Sequence, residues 1–228
     1  MKTTLDIDEL VFNPPDLGCV LYLSGQPGGG RKIYDRSPYA NHGTMIGATW
    51  KKLPGGVWAV HLDGSDDYIK VEDVPSLDLW APVTLELWFC WEGGSSWNTI
   101  ASCREGYSSD SDGQYYLTIN EADDKLHNYN SIESIGQITK NRWTHLAHVA
   151  TANQERIYLN GRLDKSESMA GFEIENVFPL TFGADWSLGG GVREFFRGDM
   201  ALIRLYRQAR SDLQIAMDFD REKRLFGL

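Results

Sequence analysis

Glu173 and Glu175 stand two residues apart in Glu173-Ile174-Glu175-Asn176-Val177. Side chains two apart on a strand share a face, so both carboxylates would point the same way. Glycoside hydrolysis needs two carboxylates flanking the sugar bond, one as acid and one as nucleophile or base. Here Val177 follows on the same face, and the competing reading is a solvated edge strand. A second group, Ser108-Ser109-Asp110-Ser111-Asp112-Gly113, alternates acids and ends on a glycine. Calcium takes oxygen ligands from loops of flexible geometry, which makes Asp110 and Asp112 the candidate metal ligands, against an ordinary polar turn.

Aromatic side chains offer a different chemistry, since sugar rings stack on their faces. Among the eight tryptophans, Trp88, Trp91 and Trp143 sit in strand-like patterns and read as core. Trp97, Tyr107 and Trp186 sit in polar, serine- or glycine-rich stretches and are the candidate ligand-binding residues; covering a sheet edge is the competing role. His145 and His148 lie three apart in a strand-like segment, hence on opposite faces, and cannot converge on one metal. Cys19, Cys90 and Cys103 show no C-x-x-C spacing and read as free, mostly buried thiols. The triplets Gly28-Gly29-Gly30 and Gly189-Gly190-Gly191 lack the Lys-Ser/Thr and the helix of a phosphate loop. No catalytic residue is assigned.

The elements that must position these residues are short alternating runs. In Val83-Thr84-Leu85-Glu86-Leu87-Trp88-Phe89-Cys90-Trp91 the odd positions form one apolar face, while Glu86 and Trp88 mark a partly wet one. Tyr115–Asn120 and Ile157–Asn160 alternate likewise. Asn160-Gly161 is a strong two-residue hairpin signal, and Asp63-Gly64 reads the same way between two apolar runs. The predicted core includes Leu85, Leu87, Phe89, Leu117, Leu159 and Ile203. Near the end, Ser211-Asp212-Leu213-Gln214 fits a capping box, so residues 211–225 should be helical, with Ile215, Ala216 and Phe219 on one face. This rhythm is that of an all-β sandwich.

A length of 228 residues suits one such domain, and 42% hydrophobic residues argue against disorder. The net charge of −10 supplies no basic field for phosphates or anionic membranes, so neither nucleic acid nor membrane is an expected partner. No signal peptide is read at the N-terminus, where Lys2 is followed by a polar stretch and Pro14-Pro15.

In order along the chain, six segments resemble the laminin-G-like jelly-roll family of the concanavalin A-like superfamily. They are Tyr34-Asp35-Arg36-Ser37-Pro38-Tyr39-Ala40-Asn41-His42-Gly43-Thr44, Leu62-Asp63-Gly64-Ser65-Asp66-Asp67-Tyr68-Ile69, Leu85-Glu86-Leu87-Trp88-Phe89, Trp143-Thr144-His145-Leu146-Ala147, Tyr158-Leu159-Asn160-Gly161, and residues 196–206. The resemblance implies a two-sheet antiparallel jelly-roll sandwich with a short C-terminal helix. The expected division is an N-terminal arm at 1–17, the sandwich at 18–210 and the helix at 211–228. Hydrolases that resemble this fold set Glu-x-Asp-x-Glu along a strand, and Val177 stands where a third acid would. The family commonly has an acidic residue where this chain has Ala201, a region some relatives use for a structural calcium.

Such modules are typically non-catalytic. The leading expectation is therefore a recognition or structural surface module, not an enzyme, within a larger assembly such as a virion decoration or fibre. Its partners would be copies of itself or other subunits, joined through edge strands, the N-terminal arm or the apolar C-terminal residues Ile215, Phe219, Leu225 and Phe226. It would be made in the cytoplasm as part of a particle. The alternatives are a secreted glycan-binding module and a glycoside hydrolase or lyase. Calcium is the only cofactor suggested.

Overall fold

A computed structural model describes residues 18–24, 30–94, 96–103, 115–128, 132–168, 173–174, 178–187 and 191–228. Two eight-stranded sheets pack face to face. The first runs, in spatial order, Arg162–Ser168, Gln154–Leu159, Trp143–Ala150, Val83–Trp91, Arg197–Tyr206, Trp58–Asp63 and Thr49–Lys52, with Cys19–Leu23 also paired to Arg197–Tyr206. The second runs Ile132–Gln137, Lys125–Asn128, Tyr115–Asn120, Trp97–Cys103, Leu180–Phe182, Tyr68–Val71, Gly43–Ile46 and Lys32–Ile33. The pairings within both are antiparallel, as expected of a sandwich whose strands alternate inward and outward.

The core between the sheets contains Leu85, Leu87, Phe89, Trp91, Leu117, Ile119, Phe182 and Ile203. Leu159 only packs partly against it. One polar group crosses this core: Asn128 of the second sheet donates to Glu155 of the first, and Glu155 is bonded to His148 at 3.0 Å, with all three buried. Burying such groups is tolerated when they satisfy one another.

Asn160-Gly161 closes a hairpin as expected, with both residues at positive φ (51° and 74°). A side chain at Gly161 would strike the Phe219 ring. The expectation for Asp63-Gly64 is overturned. The strands on either side of it belong to different sheets, so this turn carries the chain across the sandwich. Carboxylates hold it: Asp67 accepts from the Asp63 amide at 3.0 Å, and Asp63 accepts from the Ser65 amide at 2.7 Å. The apolar runs look the same whether they pair with each other or with separate sheets, which is why the dipeptide misleads.

The C-terminal helix spans Asp212–Glu222 with the expected Ser211/Gln214 capping box, and a 3-10 turn, Lys223–Phe226, follows. It lies on the outer face of the first sheet, which is not wet. Trp88 and Glu86 are fully buried. Trp88 stacks on Phe226 (4.1 Å, 13°) and Phe219 (5.7 Å, 17°), and its indole N–H donates to Glu222 at 2.8 Å. The apolar residues expected to reach a neighbouring subunit are thus used on the chain's own sheet, because Trp88 and Trp143 need cover on the side away from the core.

A β-bulge in Arg197–Tyr206 makes this face possible. Its register shifts between Ala201 and Arg204, with Leu202 at φ 50°. Met200, Ile203 and Leu205 join the core, whereas Ala201, Leu202 and Tyr206 join the outer aromatic cluster. Ala201 is buried there beside Trp88 and Phe226, where a carboxylate would lose its hydration.

Candidate functional site

Register places a different set of side chains on the outer face of the second sheet. Trp97 pairs with Asn120, Thr99 with Thr118 and Ser102 with Tyr116, and in the next pairings Thr118 meets His127, and Ser102 meets Thr181. Leu117 and Ile119 point into the core, so their alternating neighbours point outward. The Trp97 and His127 rings meet edge to face at 5.6 Å and 86°, and both residues are half-buried.

Between this pair and Tyr116 lie Thr99 and Thr118, side by side and fully buried, with both hydroxyls unpartnered. A buried hydroxyl without a partner costs about 1–3 kcal/mol. The other polar groups of this face are tied to one another. Ser102 donates to Asp185 at 2.6 Å, Arg193 donates twice to the other Asp185 oxygen (3.0 and 3.2 Å), and the Tyr116 hydroxyl donates to Glu194. Asp123, His127 and Glu133 stand at one end of the face, with Lys125 bonded to Glu133. Hydroxyls beside an aromatic edge suit a ligand with many hydroxyls, while carboxylates already neutralised by Arg193 or Lys125 are poorly placed as a free acid and base.

The outer face of the first sheet has the opposite character. His145 bonds Glu86 at 3.0 Å, Arg210 Nε lies 3.3 Å from Glu86, Arg204 and Glu222 pair, and Arg210 pairs with Asp218. Burial works to raise the Glu86 pKa, but His145, Arg204 and Arg210 outweigh it and hold it below the ordinary value of 4.5. Burial and the Glu86 charge raise that of Asp218. Farther along the same face, Asp199 is bonded by His61 at 2.9 Å and Lys51 at 2.6 Å, one on each oxygen. These groups neutralise one another.

Thiol chemistry has no support. All three cysteines are free, and burial pushes the Cys19 thiol up to about 12 and the Cys90 thiol to about 11, leaving both protonated at neutral pH. Two cavities flank Trp143, which is half-buried rather than core. One of about 320 Å³ lies against Leu53–Gly55 and Arg224–Gly227, and one of about 140 Å³ lies beside Arg142, Asn160 and Leu228. They follow the seam along which the C-terminal segment docks.

Of the sequence candidates, Trp97 falls on the polar outer face. Trp186 lies on the Asp185–Ser187 strand, next to Asp185, with its half-buried ring against Phe178 at 5.7 Å. Tyr107, Asp110 and Asp112 lie outside the described residues, as do Glu175 and the arm at 1–17. Glu173 is in a two-residue strand paired with Leu79–Trp80. His145 and His148 face opposite sides, as read, and His42 accepts from the Asp35 amide, a structural role. Thr99, Thr118 and His127 were missed. Only period-two counting across three strands would reveal them, and the Trp97–Cys103 bulge spoils that count.

Two antiparallel sheets packed face to face, with a polar and partly aromatic outer face, define a concanavalin-type sandwich. The chain belongs to the laminin-G-like family of the concanavalin A-like lectin/glucanase superfamily, whose model matches residues 63–216. No curated protein sequence matches it significantly. Among solved structures it is similar to domain 4 of AbnA, an extracellular arabinanase from Geobacillus stearothermophilus, in complex with arabinotriose. The identity is 16% and the TM-score 0.65, over 88% of this chain and 97% of that domain. It is also similar to the ligand binding domain of botulinum neurotoxin serotype D in complex with N-acetylneuraminic acid (12%, 0.67, 89% and 50%). A third is the binding domain of Paraclostridial Mosquitocidal Protein 1 (16%, 0.65, 89% and 52%). The chain spans nearly all of the arabinanase domain but about half of each toxin domain, and at these identities the likeness is one of fold.

Proposed function

We propose that this chain is a non-catalytic glycan-recognition module that binds a neutral oligosaccharide on the outer face of its second sheet. The observation that carries this reading is the pair of buried, unpartnered hydroxyls of Thr99 and Thr118, set between the Trp97–His127 pair and Tyr116. A sugar hydroxyl bonded to either threonine would remove a standing cost, and the half-buried Trp97 ring would cover the sugar's apolar face. Because the threonines are buried, the ligand reaches them by displacing rim side chains, of which Trp97 and His127 are the more exposed.

The bound arabinotriose of one structural neighbour and the N-acetylneuraminic acid of another make saccharides the first class to test. Between these, the acidic chain favours the neutral sugar, since net charge −10 repels a carboxylated one. The carboxylates tied to Arg193 and Lys125 support binding without hydrolysis. Placement in a virion or fibre rests on sequence reading alone, and self-association through the C-terminal helix would have to use residues other than those packed on Trp88.

The test is a glycan array including arabinan oligosaccharides and sialylated glycans, followed by calorimetry on the strongest hit with Trp97→Ala and Thr118→Val. Binding lost in Trp97→Ala, with sugar chains left intact by the parent, supports the proposal. An array without hits, or a hit indifferent to both substitutions, overturns it. Product release abolished by Glu173→Gln would restore the hydrolase reading.

A further inference from the structure

We infer that Asp123, His127 and Glu133 form a binding site for a first-row divalent transition metal, zinc being the natural occupant. The three residues come from one turn and two adjacent strands: Asp123 lies two residues before the Lys125–Asn128 strand that carries His127, and Glu133 is its register partner on Ile132–Gln137. One nitrogen and two carboxylate oxygens lie within 4.8 Å of one another. His127 Nε2 stands 3.2 Å from one Asp123 oxygen and 3.3 Å from the other. Two ligands on a tetrahedral zinc, each about 2.0–2.2 Å from it, are themselves about 3.3–3.6 Å apart, so the Asp123–His127 edge is already near the spacing a metal requires.

The donor set decides the class of ion. An imidazole with two carboxylates suits zinc, nickel, cobalt or copper, whereas calcium prefers oxygen alone. Three protein ligands leave at least one position open, as in zinc sites that hold water or a ligand. A second observation concerns the neighbouring strand on the same face. Thr118, the register partner of His127 on its other side, turns a buried, unpartnered hydroxyl to this face. That hydroxyl, one strand away from His127, can donate to or accept from a water held at this face.

The His61, Glu92 and Asp199 group has similar composition, but there the Lys51 ammonium sits on the Asp199 carboxylate, a side chain only 4% exposed, whereas Asp123 is bonded by His127 and the Lys125 amide. The Asp123 site is open to solvent, with side-chain exposures of 36% at Asp123, 20% at His127 and 47% at Glu133. Its standing cation is the Lys125 ammonium on Glu133, a flexible group at the end of a long stem. Metal binding displaces that ammonium. The site shares His127 and Thr118 with the glycan proposal but is tested apart from it, since the metal alone is the probe.

Trp97 supplies the readout, because its ring touches His127 at 5.6 Å and nickel or cobalt quenches a nearby indole. Nickel is titrated into the intact chain while tryptophan emission is followed, and zinc binding is measured by calorimetry. The expected result is one saturable quenching phase, absent in Trp97→Phe although that variant still binds zinc, and competed by zinc but not by calcium. His127→Ala should weaken zinc at least about tenfold, the least that even an outer-shell partner usually costs. Lys125→Met should tighten it. A general acidic surface would also respond to Lys125→Met but would ignore His127→Ala. An unchanged affinity in His127→Ala, or no saturable phase in the parent, overturns the inference. If circular dichroism shows His127→Ala misfolded, the exposed Glu133→Gln decides in its place, with the same tenfold criterion.

Discussion

The two outer faces of this sandwich are built from the same strand geometry and differ in what completes them. On the first sheet, Glu86, His145, Arg204, Arg210, Asp218 and Glu222 form an ionic network under the C-terminal helix, and Trp88 is stacked by Phe219 and Phe226. On the second, Thr99 and Thr118 keep unpartnered hydroxyls beside a half-exposed tryptophan. A face whose charges neutralise one another beneath a docked helix belongs to the fold. One that leaves hydroxyls wanting beside a half-exposed ring is where a partner adds most.

The largest expected effect lies on the covered face. Glu222→Ala leaves Arg204 buried without its main partner and removes the acceptor of Trp88, and breaking a buried pair in this way costs about 3–5 kcal/mol. Urea denaturation should show it, and a loss below about 1 kcal/mol would mean that the helix is not integral to the first sheet.

Acid should act on the same face. The folded pKa of Glu86 is depressed, so folding releases its proton, and the stability it contributes is complete above 4.5 and lost as the pH falls through the folded value. Asp218, with a raised pKa, works in the opposite sense, its contribution falling as the pH rises through its folded value. Comparing urea midpoints at about pH 6 and about pH 3, the parent should lose more than Glu86→Gln does. Equal losses would show that the net acid sensitivity lies elsewhere.

On the second sheet the sign should reverse. Thr118→Val removes a hydroxyl that bonds nothing and keeps the side-chain shape, so stability should be unchanged or rise by up to about 1 kcal/mol. A loss of more than that would reveal a partner for this hydroxyl and erase the contrast between the faces. Trp97→Ala, already posed as a binding test, should likewise cost less stability than Glu222→Ala, because its ring is only half-buried.

Much of the fold was legible because period-two alternation and turn dipeptides are local. Val83–Trp91 reads directly as a strand with one apolar face, and the capping box places the helix start at Ser211. What the helix covers was not legible. Trp88 and Glu86 look like a wet face until Phe219 and Phe226, more than a hundred residues away, lie over them. The candidate site was legible in one residue, Trp97, because its serine-rich surroundings mark it. Thr118 and His127 become notable only through register with neighbouring strands, and register is set by bulges that alternation does not announce. The Asp63-Gly64 turn failed for a related reason, since a tight turn fixes chain direction but not the sheet that receives the next strand.

The bulge at Leu202 acts as a change of phase in the longest strand. Before it, even-numbered side chains face the core, as Met200 does. After it, odd-numbered ones do, as Ile203 and Leu205 do. Arg204 is an even-numbered residue and reaches Glu222 only because that parity has been switched. Deleting one residue here would send a guanidinium into the hydrocarbon between the sheets and pull Ile203 out, while leaving composition and hydrophobic content almost untouched. Where loops tolerate gain or loss of a residue as a change in length, this strand would register it as a change in meaning, so the natural history of such chains should show substitutions at 200–205 but a fixed count between Gly198 and Tyr206.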